Sequence, residues 1–388
     1  MSWEKEDWHL EAKLQKREKM DNLRVSIQSD DLVDLASNDY LGLASEKQIF
    51  DRALELLERY PGRINGSGGS RLLTGNHPLY EIAEGLIAGF HSAEAALIFN
   101  SGYQANLGFF QSVPGREDFV IFDEAAHASI REGLRLSLCR SVKFRHNSPE
   151  SLEEQIRRCR SKKPAARVYV ITESVFSMDG TQPPLEIISK ICLRHRARLI
   201  VDEAHATGVV GERGEGLVSA LGLEGQVFAR IITFGKAVGS HGAAILGSNT
   251  LKKYLLNFAR SLIYTTALPP HSLAGLVSAY EFLNSKAGPA LEKLRANIAF
   301  FSRISAESPM SFAFVPSASA VQICIIPGNL PVKEAAERIR KQGMDVRPIL
   351  SPTVPEGKER LRFCLHSFNT EEHISAAVAA AFNENRKS

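Results

Sequence analysis

Between residues 95 and 248 the chain alternates short apolar runs with segments of helical spacing, and this pattern limits the possible folds more than any other feature. The runs are AALIF at 95–99, FVIF at 119–122, VYVIT at 168–172, LIV at 199–201, IIT at 231–233 and AAIL at 243–246. A strand with one face in water alternates apolar and polar side chains, whereas these runs are apolar at successive positions. Both of their faces are therefore covered. Strands of that kind, separated by helices, form a largely parallel sheet with helices on its two sides. An all-α or all-β chain is excluded, and the prediction is an α/β fold.

The flanks are organised differently. An amphipathic helix is expected over 3–24, a docking arm with Trp8, Leu10, Leu14 and Met20 among many charged residues. Ala287-Gly288-Pro289 punctuates the other end of the sheet region. Beyond it the pattern reads as helix (289–306), strand (319–326), helix (331–342), strands (344–350 and 360–366) and helix (370–384). The expected organisation is an N-terminal arm over 1–45, a large domain over 46–286 and a smaller C-terminal α/β domain over 287–388.

In open parallel sheets, ligands bind outside the carboxyl ends of the strands. Those ends hold the unusual residues of this chain: Ser101-Gly102-Tyr103 after the first run, His127 after the second, Glu173 to Ser177 after the third, Asp202 to His205 after the fourth and Lys236 after the fifth. Lys236 is the only Asp, Glu, Lys or Arg between Arg230 and Lys252, although a lone lysine also fits an ordinary surface position. Asp202 alone reads as a turn or N-cap aspartate, and His127 alone as a helix-capping or surface histidine. Together, an Asp, a His and a Lys at the ends of one sheet suit pyridoxal phosphate, which needs a lysine to carry it and an acid opposite its ring nitrogen. Ser101-Gly102-Tyr103 opens a helix over 104–112, whose free amides and dipole favour a phosphate, and Thr233 is placed to add a hydroxyl. His127 offers an aromatic cap over a flat ring. The cluster GSGGSRLLTG at 66–75 lacks the lysine ending of a P-loop and reads as a flexible turn.

Charge and cysteine usage narrow the setting. Forty-seven Lys and Arg against forty-four Asp and Glu leave a formal charge of +3, too balanced to imply nucleic acid or an anionic membrane as partner. The five cysteines are scattered singly, which argues against a zinc site or disulfide framework and fits a reducing, cytoplasmic setting. No run approaches the roughly 18 apolar residues of a membrane span, and the polar N-terminus predicts no signal peptide.

The segments SNDYLG (37–42), GSGGSR (66–71), NSGY (100–103), ESVFSMDG (173–180), DEAHATG (202–208), TFGK (233–236) and PTVP (352–355), in this order over nearly the whole chain, resemble the α-oxoamine synthases. These are fold-type-I pyridoxal phosphate transferases that condense an amino acid with an acyl thioester and release carbon dioxide. The resemblance implies that Lys236 carries the cofactor, Asp202 pairs with its ring nitrogen, His127 stacks on the ring, and His205 and Ser177 lie near its phenolic oxygen. It assigns the phosphate to the Ser101-Gly102-Tyr103 turn and Thr233, with Thr265 or Thr266 added by the partner of a homodimer. Asn38 and Arg362 are implied for the amino acid carboxylate, and Arg24 and Thr353 for other substrate contacts. Arg71 departs from the smaller residue that some members carry after the glycine loop. The short chain and the form of TFGKAVGSHGAA lean toward members that join L-alanine to a pimeloyl thioester, carried by coenzyme A (CoA) or acyl carrier protein (ACP), in biotin synthesis. Glycine C-acetyltransferase shares the same core motifs and is the alternative.

Overall fold

The computed structural model describes residues 7–26, 31–60 and 65–382. The chain forms two compact units. The smaller comprises Met1–Ser37, Met178–Gly180 and Ala296–Ser388, and the larger Asn38–Ser177 and Thr181–Arg295. Helix α1 (Trp8–Lys19) and strand β1 (Val33–Asp34) open the smaller unit. Of the predicted 3–24 helix, residues 1–6 lie outside the described residues, and α1 buries none of its side chains.

The larger unit begins with α2 (Lys47–Glu58), which the sequence reading did not anticipate, and α3 (Leu79–Phe90). There follow β2 (Ala95–Phe99), α4 (Gly102–Ser112), β3 (Phe119–Asp123), α5 (Ala128–Leu136), β4 (Arg140–Phe144), α6 (Pro149–Lys162), β5 (Val168–Glu173), α7 (Leu185–Arg194), β6 (Arg198–Asp202), α8 (Leu217–Ala220), β7 (Ala229–Thr233) and β8 (Ala243–Gly247). Helices α9 (Asn249–Phe258), α10 (Arg260–Ile263) and α11 (Pro270–Ser285) complete it. The strands form one seven-stranded sheet in the order β2-β8-β7-β6-β5-β3-β4. Neighbours from β4 to β7 are parallel, and β8 runs antiparallel to both β7 and β2. All six predicted strands are present. The seventh, β4, reads Arg-Ser-Val-Lys-Phe and is mostly exposed. As an edge strand it lacks the two covered faces on which the prediction rested.

Successive residues of the central strands feed two separate cores, as a period of two requires. Val120, Tyr169, Ile171 and Ile200 pack on one side with Phe109, Phe110 and Ile130. Ile121, Val168, Val170, Leu199 and Val201 pack on the other with Leu152, Ile156 and Ile188. At about 1.5–3 kcal/mol per fully buried aliphatic or phenyl side chain, these two layers supply the main force that flattens the helices onto the sheet.

The smaller unit continues with α12 (Gly288–Glu307), which begins in the larger one, then β9 (Phe314–Val315), β10 (Val321–Ile325), α13 (Asn329–Lys341), β11 (Met344–Asp345), β12 (Arg347–Ile349), β13 (Arg360–Cys364) and α14 (Glu371–Phe382). Its four-stranded sheet, β12-β13-β10-β9, is antiparallel throughout. The predicted strand over 344–350 is two strands, because β11 pairs in parallel with β1 while β12 pairs with β13. Among the described residues no helix is long and apolar enough to cross a membrane, and no cluster of His, Cys, Asp and Glu could hold a metal ion.

Candidate active site at the strand carboxyl ends

Strands β5, β6 and β7 end side by side at Glu173, Asp202 and Thr233, and a cavity of about 270 Å³ opens there in the larger unit. Of the predicted residues, Ser101, Gly102, Tyr103, His127, Asp202, His205, Thr233 and Lys236 line it.

Lys236 lies in the turn between β7 and β8. That turn is tied by its own backbone, with Phe234 N–H donating to Gly242 O (2.9 Å), Ser240 N–H to Phe234 O (2.8 Å) and Gly239 N–H to Lys236 O (2.8 Å). The side chain of Phe234 is fully buried, which anchors the loop beneath the lysine. Lys236 Nζ stands 2.8 Å from His205 Nε2, and His205 Nδ1 stands 2.7 Å from the hydroxyl of buried Tyr40. The Tyr40 O–H donates to Asn38 Oδ1 at 3.0 Å. The Tyr40 oxygen therefore accepts the proton on His205 Nδ1, and Nε2 is left as the acceptor for Lys236 N–H.

Asp202 closes β6 and is 5% exposed. Its Oδ1 accepts from Ala204 N–H (3.0 Å) and its Oδ2 from Asn106 Nδ2 (2.9 Å). Asn106 Nδ2 also donates to Ser129 Oγ (3.0 Å), and Ser129 Oγ lies 2.8 Å from His127 Nδ1. His127 caps α5, with Nδ1 accepting from Ser129 N–H at 3.2 Å. An Nδ1 that accepts leaves the ring neutral, with its proton on Nε2. Burial, and after it the nearby Lys236, hold the imidazole below the ordinary histidine range against the opposing pull of Asp202.

The amino end of α4 forms another wall. Ser101 Oγ caps it by accepting from Gln104 N–H (3.2 Å), and the amides of Gly102 and Tyr103 have no acceptor among the described residues. A Cβ at position 102 would come within 2.5 Å of Thr233 Cγ2, so only glycine lets the helix start lie against the end of β7. Open amides at a helix start, an adjacent hydroxyl, a lysine and a buried aspartate make a donor set that fits a phosphorylated pyridine aldehyde.

Two cavity residues, Asn106 and Ser129, escaped sequence reasoning, and a third, Glu173, is marked in the sequence as a strand-end residue without a role of its own. Asn106 is 2% exposed, and its Oδ1 is buried with no partner among the described residues. It stands four residues after Gly102 and hence on the same helix face, which is the signal that could have found it. Glu173 is the last residue of β5 and 4% exposed, and it accepts from His127 N–H at 2.6 Å. Ser129 links these groups, and neither its type nor its spacing marks it.

The remaining predicted residues lie elsewhere. Ser177, four positions beyond β5, and Thr265 and Thr266 do not line this cavity. The Thr266 carbonyl accepts from Asn100 Nδ2 (2.6 Å), and a β-bridge joins Thr266 to Ser70 of the glycine loop. Arg71 is tied down by an ion pair with buried Glu84 and lies over the Tyr80 ring at 4.0 Å. Arg24 and Thr353 line a cavity of about 660 Å³ in the smaller unit, together with Arg17, Lys333 and Arg340. Arg362 is nearly buried in β13, where its Nη1 contacts Cys364 Sγ at 3.0 Å.

The profile of the family described as aminotransferase class I and II matches residues 30–380. The chain belongs to that family. Within it the chain is similar to 8-amino-7-oxononanoate synthases: the one from Emericella nidulans is 40% identical over 384 residues, 95% of this chain and 93% of that protein. Among solved structures, a serine palmitoyltransferase from S. paucimobilis with bound PLP-myriocin superposes with a TM-score of 0.88 at 25% identity, covering 98% of each chain. An 8-amino-7-oxononanoate synthase from Francisella tularensis gives a TM-score of 0.76 at 26% identity, covering 91% of this chain and 97% of that one. As an aminotransferase class I and II protein with these neighbours, the chain has the fold-type-I architecture.

Proposed function

We propose that this protein is a pyridoxal phosphate-dependent acyltransferase that condenses L-alanine with a pimeloyl thioester and releases carbon dioxide, giving 8-amino-7-oxononanoate for biotin synthesis. One observation carries the reading: Lys236 Nζ, 2.8 Å from His205 Nε2, shares a cavity with buried Asp202 and the open amino end of α4. In this reading Lys236 would hold the cofactor, Asp202 would pair with its ring nitrogen, His127 would cover the ring, and His205 with Ser177 would serve the phenolic oxygen. The Gly102 and Tyr103 amides would take the phosphate together with Ser101 and Thr233. When bound, the cofactor draws electrons from the α-carbon of the amino acid.

The chain supplies placement and proton control. His205, oriented by Tyr40, accepts a hydrogen bond from Lys236 and so fixes where Nζ points. Lys236 Nζ is then the group that moves the α-proton. Asn106 and the Ala204 amide each donate to one oxygen of Asp202 and so fix the orientation of its carboxyl group. Substrate binding by Arg24, Asn38, Thr353 and Arg362, a homodimer whose partner adds Thr265 or Thr266, and a cytoplasmic location belong to the same proposal.

The test is a thiol-release panel that pairs L-alanine, glycine and L-serine with pimeloyl, acetyl and palmitoyl thioesters of CoA and ACP. Alanine with a pimeloyl thioester is the expected best pair. Faster turnover of glycine with acetyl-CoA would make the protein a glycine C-acetyltransferase instead. Lys236→Ala should lose both turnover and the borohydride-trappable cofactor absorbance, and retention of both would remove Lys236 from its role.

A further inference from the structure

Glu173 has no part in the chemistry above, yet it lies in the cavity wall. It is the last residue of β5, and the β5–β6 register sets it directly beside Asp202, so two carboxyl groups end neighbouring strands. Both are almost fully buried, and among the described residues neither forms an ion pair with Lys, Arg or His. The groups that act on Glu173 are Asp202 on β6, Asp123 on β3, Lys236 in the turn after β7 and the His127 amide before α5. One oxygen, Oε1, accepts from that amide at 2.6 Å. Asp202, by contrast, takes two donors, the Ala204 amide and the Asn106 side chain.

Two neighbouring buried carboxyls do not both ionise at moderate cost, and the one with more donors keeps the charge. We propose that Glu173 is a positioning residue that works as a neutral carboxylic acid, holding the His127 backbone with Oε1 while Asp202 alone carries the negative charge. Burial first, and the charge of Asp202 second, push its carboxyl well above the usual range, which agrees with that assignment. The hydrogen bonds then run from Glu173 through His127, Ser129 and Asn106 to Asp202, back to the strand beside Glu173. A second negative charge in this ring would compete with Asp202 for any cation bound in the cavity. A neutral acid holds the histidine without that competition.

The kinetic half of this inference rests on the proposed reaction, whereas the protonation state does not, so the two are tested separately. The infrared difference spectrum of wild type minus Glu173→Gln, taken on the full chain near neutral pH, should show the carbonyl stretch of a protonated carboxylic acid. Its absence would mean that Glu173 is ionised and would overturn the proposal whatever the substrate. In turnover, Glu173→Ala should lower kcat by about 10²-fold with little change in KM, the size expected for a displaced ring-facing group. Glu173→Gln, neutral and able to accept the same amide, should restore most of that loss. A Gln variant as impaired as the Ala variant, or an Ala variant without loss, would equally overturn it.

Discussion

Asp202 reaches its place through partners on three different segments. The Ala204 amide comes from its own turn, Asn106 from α4, and Glu173 from the neighbouring strand. A buried carboxylate with two donors stays charged, whereas one stripped of a donor meets the full cost of desolvation. Asn106→Ala removes the bond to Oδ2, and a hydrogen bond to a charged group contributes about 1.5–3 kcal/mol. We expect kcat to fall by about tenfold, the rate equivalent of about 1.4 kcal/mol. Stopped-flow turnover with retained cofactor absorbance is the measurement, and an unchanged kcat would show that Asp202 does not depend on α4. At this scale much was legible in the chain itself. Lys236, Asp202 and His127 follow apolar runs, and a polar residue at the end of a buried strand stands out. Asn106 did not stand out, because a single Asn on an apolar helix face looks like any satisfied core amide until its neighbours are known.

Among the elements, the end of β6 and the start of β7 are tied together by one buried charge network. Arg230 of β7 donates to Glu203 Oε2 (2.6 Å), to the His91 carbonyl after α3 (2.7 Å) and to the Glu215 carbonyl (2.7 Å). Glu203, the residue after Asp202, also receives the Val218 amide (3.0 Å). His91 Nδ1–H donates to Glu215 O (2.8 Å) and Nε2 accepts from Tyr280 of α11 (3.0 Å). Complete burial, and next the Arg230 charge, push His91 down to about 3 from an ordinary 6.5. The folded state therefore keeps His91 neutral while the unfolded chain takes up a proton below the ordinary value. Stability is lost as pH falls from about 6.5 toward 3. His91→Gln should be less stable near neutrality but lose less stability on acidification than wild type. Urea midpoints across that window check this, and parallel pH curves for the two proteins would disprove the role of His91. Elements were legible where burial was two-sided, as in the six predicted strands. They were not where pairing decides: β4 is a charged edge strand, and residues 344–350 divide only because β1 takes one half and β13 the other.

For the whole molecule, the cofactor reading carries a thermodynamic consequence that needs no substrate. A ligand that binds only the folded protein stabilises it by mass action, by about 2.7 kcal/mol at one hundred times its dissociation constant. Scanning calorimetry with added pyridoxal phosphate should raise the Tm of the wild type and raise that of Asp202→Ala less, and no shift in either would argue against the cofactor. The sequence by itself determined the α/β class, the family and the residues at the strand ends, because burial on both faces of a strand is written in consecutive positions along the chain. The order of the strands and the ring that joins Glu173, His127, Ser129, Asn106 and Asp202 were decided only by the tertiary structure. His127 and Glu173 are 46 residues apart and Asn106 and Asp202 are 96 apart. Which of them meet depends on which strands lie side by side and on how α4 crosses above them, and no local spacing encodes that.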